Sequence, residues 1–126
     1  MSLRTPLGQA KCLGSAKKGF HHWWAQRVTA VALIPLTIWF AYKVAVLSMS
    51  DYQTVSESIG SPWSAALIVS LIVAAFYHAA LGMQVIYEDY VSNKAVRIAA
   101  IMATNLLLFL LATAATIAVL RIALGG

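Results

Sequence analysis

The sequence predicts an all-α membrane protein with three transmembrane helices. Two observations carry this. Of 126 residues, 61% are hydrophobic and only 10% are charged, whereas a soluble domain carries about 25% charged residues. The mean hydropathy is +0.80, which also excludes intrinsic disorder. The apolar residues fall into three long runs, about 24–47, 63–87 and 96–120. Each is long enough for the roughly 20 residues that a helix needs to cross a bilayer. Together they leave little chain for a soluble catalytic domain, so the whole is read as one membrane domain, residues 1–126.

The N-terminal segment, residues 1–20, is polar and basic, with Arg4, Lys11, Lys17 and Lys18 and no acid. Gly8, Gly14 and Gly19 argue against a folded element there. The apolar run that follows is too long for the core of a cleaved signal peptide. A basic, acid-poor start also fits a mitochondrial transit peptide, and that reading stays open. Cys12 is the single cysteine, has no partner within the chain and reads as an incidental thiol.

The first span holds Pro35, which is expected to bend it or free a carbonyl near Val31. The segment after it, residues 48–62, contains Asp51 and Glu57 but no Lys or Arg. Ser61-Pro62 is a plausible start for the second span, with proline in its first turn. After that span come Glu88, Asp89, Asn93, Lys94 and Arg97, read as a short loop. Only Lys and Arg weigh strongly in orientation. The N-terminus and the second loop are therefore expected on the cytoplasmic or matrix side, and the first loop and C-terminus on the periplasmic or intermembrane-space side. Lys43 and Arg121 sit near the far ends of their spans, where long side chains snorkel. Trp23, Trp24, Trp63, Tyr87 and Tyr90 mark span boundaries, as an aromatic belt does. The net charge of +5 fits the positive-inside rule. No aromatic-interleaved basic patch points to nucleic acid.

His78 is the informative residue. It lies about nine residues from the cytoplasmic end of the second span, roughly 13 Å deep. An ionisable group at that depth is a functional-site candidate. A neutral imidazole ligates haem iron in many cytochromes, and it can equally hydrogen-bond a neighbouring helix. Ala74, Ala75, Ala79 and Gly82 lie within a turn of it. Small residues leave room for a flat macrocycle, and they also permit close helix packing. Asp89 and Tyr90 follow eleven and twelve residues later, so Asp89 projects from nearly the same face, roughly 16 Å away along the axis. A phenol can donate to a quinone carbonyl and a carboxylate can tune that donor. The plain alternative for this pair is interfacial anchoring. Arg27 stands about one turn into the first span, where it can snorkel or pair with a buried anion such as a haem propionate. His21 and His22 precede it at the interface.

The string HAALGMQVIYEDYV, from His78 to Val91, resembles the haem and quinone segment of the succinate dehydrogenase membrane anchors. GSAKKGFHHWWAQRVTAVALIPL, from Gly14 to Leu36, resembles their N-terminal segment. The similarity is to the smaller, D-type cytochrome b anchor of alphaproteobacterial and mitochondrial complexes, and it covers nearly the whole chain. The resemblance implies a fold that is half of a haem-binding bundle, completed by a second anchor subunit. It implies that His78 is the metal ligand, axial to the iron of haem b. It implies that Tyr90 and Asp89 bind ubiquinone, and that Arg27, with His21 or His22, lies by the haem propionates and the quinone pocket. It implies an iron–sulfur subunit, a flavoprotein subunit and the lipid bilayer as further partners. It places the chain in a bacterial cytoplasmic membrane ahead of the mitochondrial inner membrane. On that reading the chain oxidises nothing alone; it completes the ubiquinone-reduction site of succinate:ubiquinone oxidoreductase. Glu88 has no place in the motif, and the third span matches no functional residue. Thr104, Asn105, Thr113 and Thr116 there read as interhelical glue. The alternatives to this reading are a closely related fumarate reductase-type anchor and, from another class, a cofactor-free structural membrane adaptor. A transporter or channel subunit would need a polar stripe along a pore, and the third span has none.

Overall fold

A computed structural model describes residues 15–125, with side chains from Gly19 onward. Cys12, Arg4, Lys11 and the side chains of Lys17 and Lys18 lie outside the described residues. The chain forms helices α1 (Ser15–Leu47), α2 (Tyr52–Gly60), α3 (Pro62–Tyr90) and α4 (Lys94–Ala123). Stretches of 29, 29 and 30 residues in α1, α3 and α4 are long and apolar enough to cross a membrane. These are the three expected spans, and no strand occurs among the described residues.

The helices run further than the apolar runs suggested. α1 begins at Ser15, inside the segment expected to lack a folded element. Gly19 costs a helix only about 1 kcal/mol relative to alanine, too little to stop a helix that long. α1 also continues unbroken through Pro35. At the other boundary, Glu88, Asp89 and Tyr90 form the last turn of α3 rather than a loop. Only residues 91–93 connect it to α4. Asn93 caps α4: its side-chain oxygen accepts from the backbone N–H of Ala95 at 2.9 Å and Val96 at 3.2 Å. Gly125, at φ 76°, ends α4 in the left-handed conformation that glycine adopts freely.

The segment between the first two spans is not a plain loop; it holds α2. The Asp51 carbonyl accepts from Val55 N–H, and the Thr54 hydroxyl donates to the Asp51 carboxylate at 2.5 Å. That hydroxyl, chiefly, holds the Asp51 carboxyl below its ordinary value. Ser61 then ends α2 and begins α3, with Pro62 in the first turn as expected. Lys43 does not simply snorkel: its ammonium donates to the Ser58 hydroxyl on α2 at 2.8 Å.

α3 is the centre of the molecule. It packs on α1 along one side and on α4 along the other, while α1 and α4 share no packing seam. The spans thus form a row in which neighbours run antiparallel. α2 closes one end of the row against α4 and α3. A Cβ on Gly60 would sit 3.1 Å from the Ile122 carbonyl oxygen and 3.6 Å from Ala123 Cα. Backbone cannot move aside as a flexible side chain can. Gly60→Val is therefore expected to destabilise the chain by about 1–3 kcal/mol. The check is a lower unfolding midpoint in detergent; an unchanged midpoint would show that α2 does not dock this closely.

The core is thin. Among the described residues the buried ones are Ser64, Ala65 and Leu81. Large apolar side chains such as Val31, Ile34, Ile38, Leu106 and Phe109 are exposed, as a chain dissolved in lipid allows.

Candidate functional site

The first half of α1 and the second half of α3 meet around His78. His22, Gln26 and Thr29 occur at a spacing of four and three, so they share one face of α1. That face meets His78. The imidazole is half-buried, with Nδ1 2.9 Å from the Thr29 hydroxyl oxygen and Nε2 3.4 Å from the Gln26 amide nitrogen. The Thr29 hydroxyl oxygen also lies 2.8 Å from the Ala25 carbonyl and 3.1 Å from that of Gln26. Gly82, one turn on from His78, brings α3 close: a Cβ there would stand 3.7 Å from the Gln26 nitrogen. At Gly82 the small-residue face around His78 thus lies against α1, which is the close-packing alternative for that residue.

Two polar atoms at this seam are buried without a hydrogen-bond partner: His22 Nε2 and Gln26 Oε1. Such an atom costs about 1–3 kcal/mol unless some group satisfies it. Among the described residues no cluster of three or more His, Cys, Asp or Glu could hold a metal ion by itself. What the seam offers is the His78 imidazole and an unsatisfied ring nitrogen on His22. That fits a cofactor that needs one axial ligand and an anionic contact, with a second ligand from elsewhere.

The other expected residues are dispersed. His21 is exposed while His22 is half-buried, so it is His22 that shares the seam with His78. Arg27 is exposed, and its guanidinium lies 5.6 Å from the Trp23 ring centroid. It stands about 100° around α1 from Gln26 and does not join the seam. Phe20 stacks on Trp24 with centroids 6.4 Å apart, so aromatic rings flank this end of α1. Asp89 and Tyr90 are exposed in the last turn of α3, Tyr90 at 83%. Glu88 accepts from the Gln84 side chain at 2.8 Å, a local pairing.

Among the described residues the third span contributes one interhelical side-chain bond, between the Tyr87 and Thr104 hydroxyls at 2.9 Å. Thr113 and Thr116 instead donate to carbonyls of their own helix, at Phe109 and Ala112. Asn105 lines a cavity of about 620 Å³ between α3 and α4, with Phe76, Gln84, Phe109 and Thr113. This cavity does not touch His78. Gln26 and Thr29 were missed as site residues. The signal was their i, i+4, i+7 spacing with His22, a polar stripe in an otherwise apolar helix.

A membrane protein of three spans, with an ionisable side chain held between two of them, is the class that this fold and site define. The sequence profile of the succinate dehydrogenase/fumarate reductase transmembrane subunit family matches residues 1–119. The succinate dehydrogenase hydrophobic membrane anchor subunit of Rickettsia bellii is 35% identical, over 92% of this chain and 93% of its own. That of Paracoccus denitrificans is 33% identical, over 97% and 94%. The succinate dehydrogenase membrane anchor subunit of Reclinomonas americana is 33% identical, over 68% and 73%. No solved structure matches the chain. The chain belongs to the succinate dehydrogenase/fumarate reductase transmembrane subunit family, and within it to the succinate dehydrogenase membrane anchors.

Proposed function

We propose that this anchor subunit holds haem b through His78, opposite a histidine of a second anchor subunit, and that Tyr90 and Asp89 complete a ubiquinone-reduction site. The observation that carries the reading is the seam: a half-buried imidazole inside a span, beside His22 Nε2 and Gln26 Oε1, both buried and unpaired. Bound haem would supply a one-electron redox centre. The chain's own part is to present an imidazole lone pair from α3 and a ring N–H from His22. That N–H suits a propionate carboxylate. Arg27, exposed on α1, is free to turn towards an anion brought by the partner side.

At the end of α3, Tyr90 offers a phenol proton to a quinone carbonyl, and the neighbouring Asp89 supplies a carboxylate that can take part in proton delivery. The flavoprotein and iron–sulfur subunits would bring electrons to that surface. The Lys/Arg distribution supports an orientation with this end and the N-terminus on the cytoplasmic side of a bacterial inner membrane or the matrix side of its mitochondrial counterpart.

One observation favours a second reading, a structural adaptor without cofactor. His78 already bonds Thr29 and approaches Gln26 across the helix seam. A single purification separates the two. The affinity-tagged chain, isolated from its native membrane, is expected to bring a flavin subunit, an iron–sulfur subunit and a second anchor. The complex should show a low-spin haem b spectrum and reduce ubiquinone with succinate. A reporter fused to the C-terminus should be active on the far side of the membrane. A complex with full succinate–quinone activity and no haem would leave the adaptor reading.

A further inference from the structure

We propose that Thr29 is a positioning residue for His78, fixing the imidazole tautomer that leaves Nε2 as the lone-pair nitrogen. The inference rests on the reading of His78 as an iron ligand. A neutral imidazole has one N–H and one lone pair, and its neighbours decide which nitrogen has which. The group facing Nε2 is the Gln26 amide nitrogen, at 3.4 Å. An amide nitrogen donates, so with the Gln26 amide in this orientation Nε2 is the acceptor. The group facing Nδ1 is the Thr29 hydroxyl oxygen, at 2.9 Å. Its one proton is directed to the Ala25 carbonyl, at 2.8 Å, so its lone pairs are left to accept from Nδ1–H. The result is a directed chain: His78 Nδ1–H to Thr29 oxygen, then Thr29 O–H to the Ala25 carbonyl.

The chain has two consequences. It anchors the ring on the side away from Nε2, so the imidazole is held through the Thr29 hydroxyl, itself bonded to the Ala25 carbonyl, rather than by packing alone. It also strengthens Nε2 as an electron-pair donor, since an acceptor on Nδ1–H pushes electron density to Nε2. Gln26 faces that lone pair, so a metal ion bound at Nε2 would displace its side chain. A ligand's hydrogen-bond partner of this kind typically accounts for a 10–100-fold change in metal affinity.

Thr29→Val keeps the shape of the side chain and removes the acceptor; Thr29→Ser keeps the hydroxyl. In the purified complex, Thr29→Val is expected to weaken haem retention about 10–100-fold. Its remaining haem should have a more positive reduction potential and a shifted low-spin EPR signal, because a weaker electron-pair donor stabilises the ferric state less. Thr29→Ser should restore all three. In the haem-free full chain in detergent, nitrogen NMR of labelled His78 should show Nδ1 protonated in the wild type and in Thr29→Ser. A mixture of tautomers is expected in Thr29→Val. If Thr29→Val matches wild type in potential, EPR signal and tautomer, the inference is overturned, as it is if the wild type carries its proton on Nε2. If His78→Ala keeps its haem, the ligand reading itself fails, and the tautomer measurement still decides the role of Thr29.

Discussion

Complexes carrying His78→Ala are expected to lose their low-spin haem b. If His78 ligates the iron as proposed, a strong-field nitrogen disappears with it, and nothing else on the same face of α3 can replace it: Ala74, Ala75 and Gly82 have no donor atom. The anchor itself should still assemble. The variant removes the bond to Thr29, and interhelical hydrogen bonds in membranes contribute on the order of 0.6 kcal/mol, rarely more than about 1.7. The small residues around the site and the Gln26 side chain can close over the space. The measurement is the pyridine-haem spectrum per flavin in the purified complex. Unchanged haem content and optical spectrum would remove His78 from the ligand set.

The second large effect is expected at the other end of α3. Tyr90→Phe deletes one hydroxyl from a side chain that is 83% exposed in the isolated chain, so packing within the subunit is untouched. If the hydroxyl donates to a quinone carbonyl, its loss should weaken quinone or transition-state binding by about 1–3 kcal/mol, roughly five- to a hundredfold. Succinate–ubiquinone reductase activity should fall accordingly. Succinate oxidation with an artificial acceptor that draws electrons from the water-soluble subunits should stay near wild type. Haem content should persist as well, because Tyr90 is about three turns from His78. A tyrosine that only anchors the helix at the interface would tolerate phenylalanine in every one of these assays.

Much of the architecture was legible because a bilayer imposes one coarse rule. Three long apolar runs must become three helices, since no other arrangement satisfies their backbone in lipid. Ser61-Pro62 located the start of α3 for a local reason, the missing N–H of proline in a first turn. The ends of helices were harder to read. Ser15–Phe20 and Glu88–Tyr90 are polar or aromatic, so hydropathy falls there while the helix continues. α2 was hidden because its nine residues are too short to show an apolar period against polar neighbours.

The site was legible in kind and only partly in detail. His78 stood out by depth alone. Its partners did not, because Gln26 and Thr29 are uncharged and mean little until α1 is laid beside α3. The choice between His21 and His22 needed the rotation of α1 about its axis, which a single helix in an apolar medium does not reveal. Arg27, Asp89 and Tyr90 face outward from this chain. Their surroundings belong to whatever covers that surface, and one chain's sequence does not contain them.

The thin core has a consequence for how such a chain changes over evolutionary time. Where few side chains are enclosed, few positions demand a particular shape. A residue facing lipid has one requirement, to be apolar, and exchange among Leu, Ile, Val, Ala and Phe meets it equally well. Neutral drift can therefore run fast over most of α1, α3 and α4 without touching the fold. Identity of 33–35% over more than nine-tenths of the chain, as with the Paracoccus and Rickettsia bellii subunits, then understates how closely two such proteins are related. The informative letters are the few polar ones that a bilayer tolerates only with a partner.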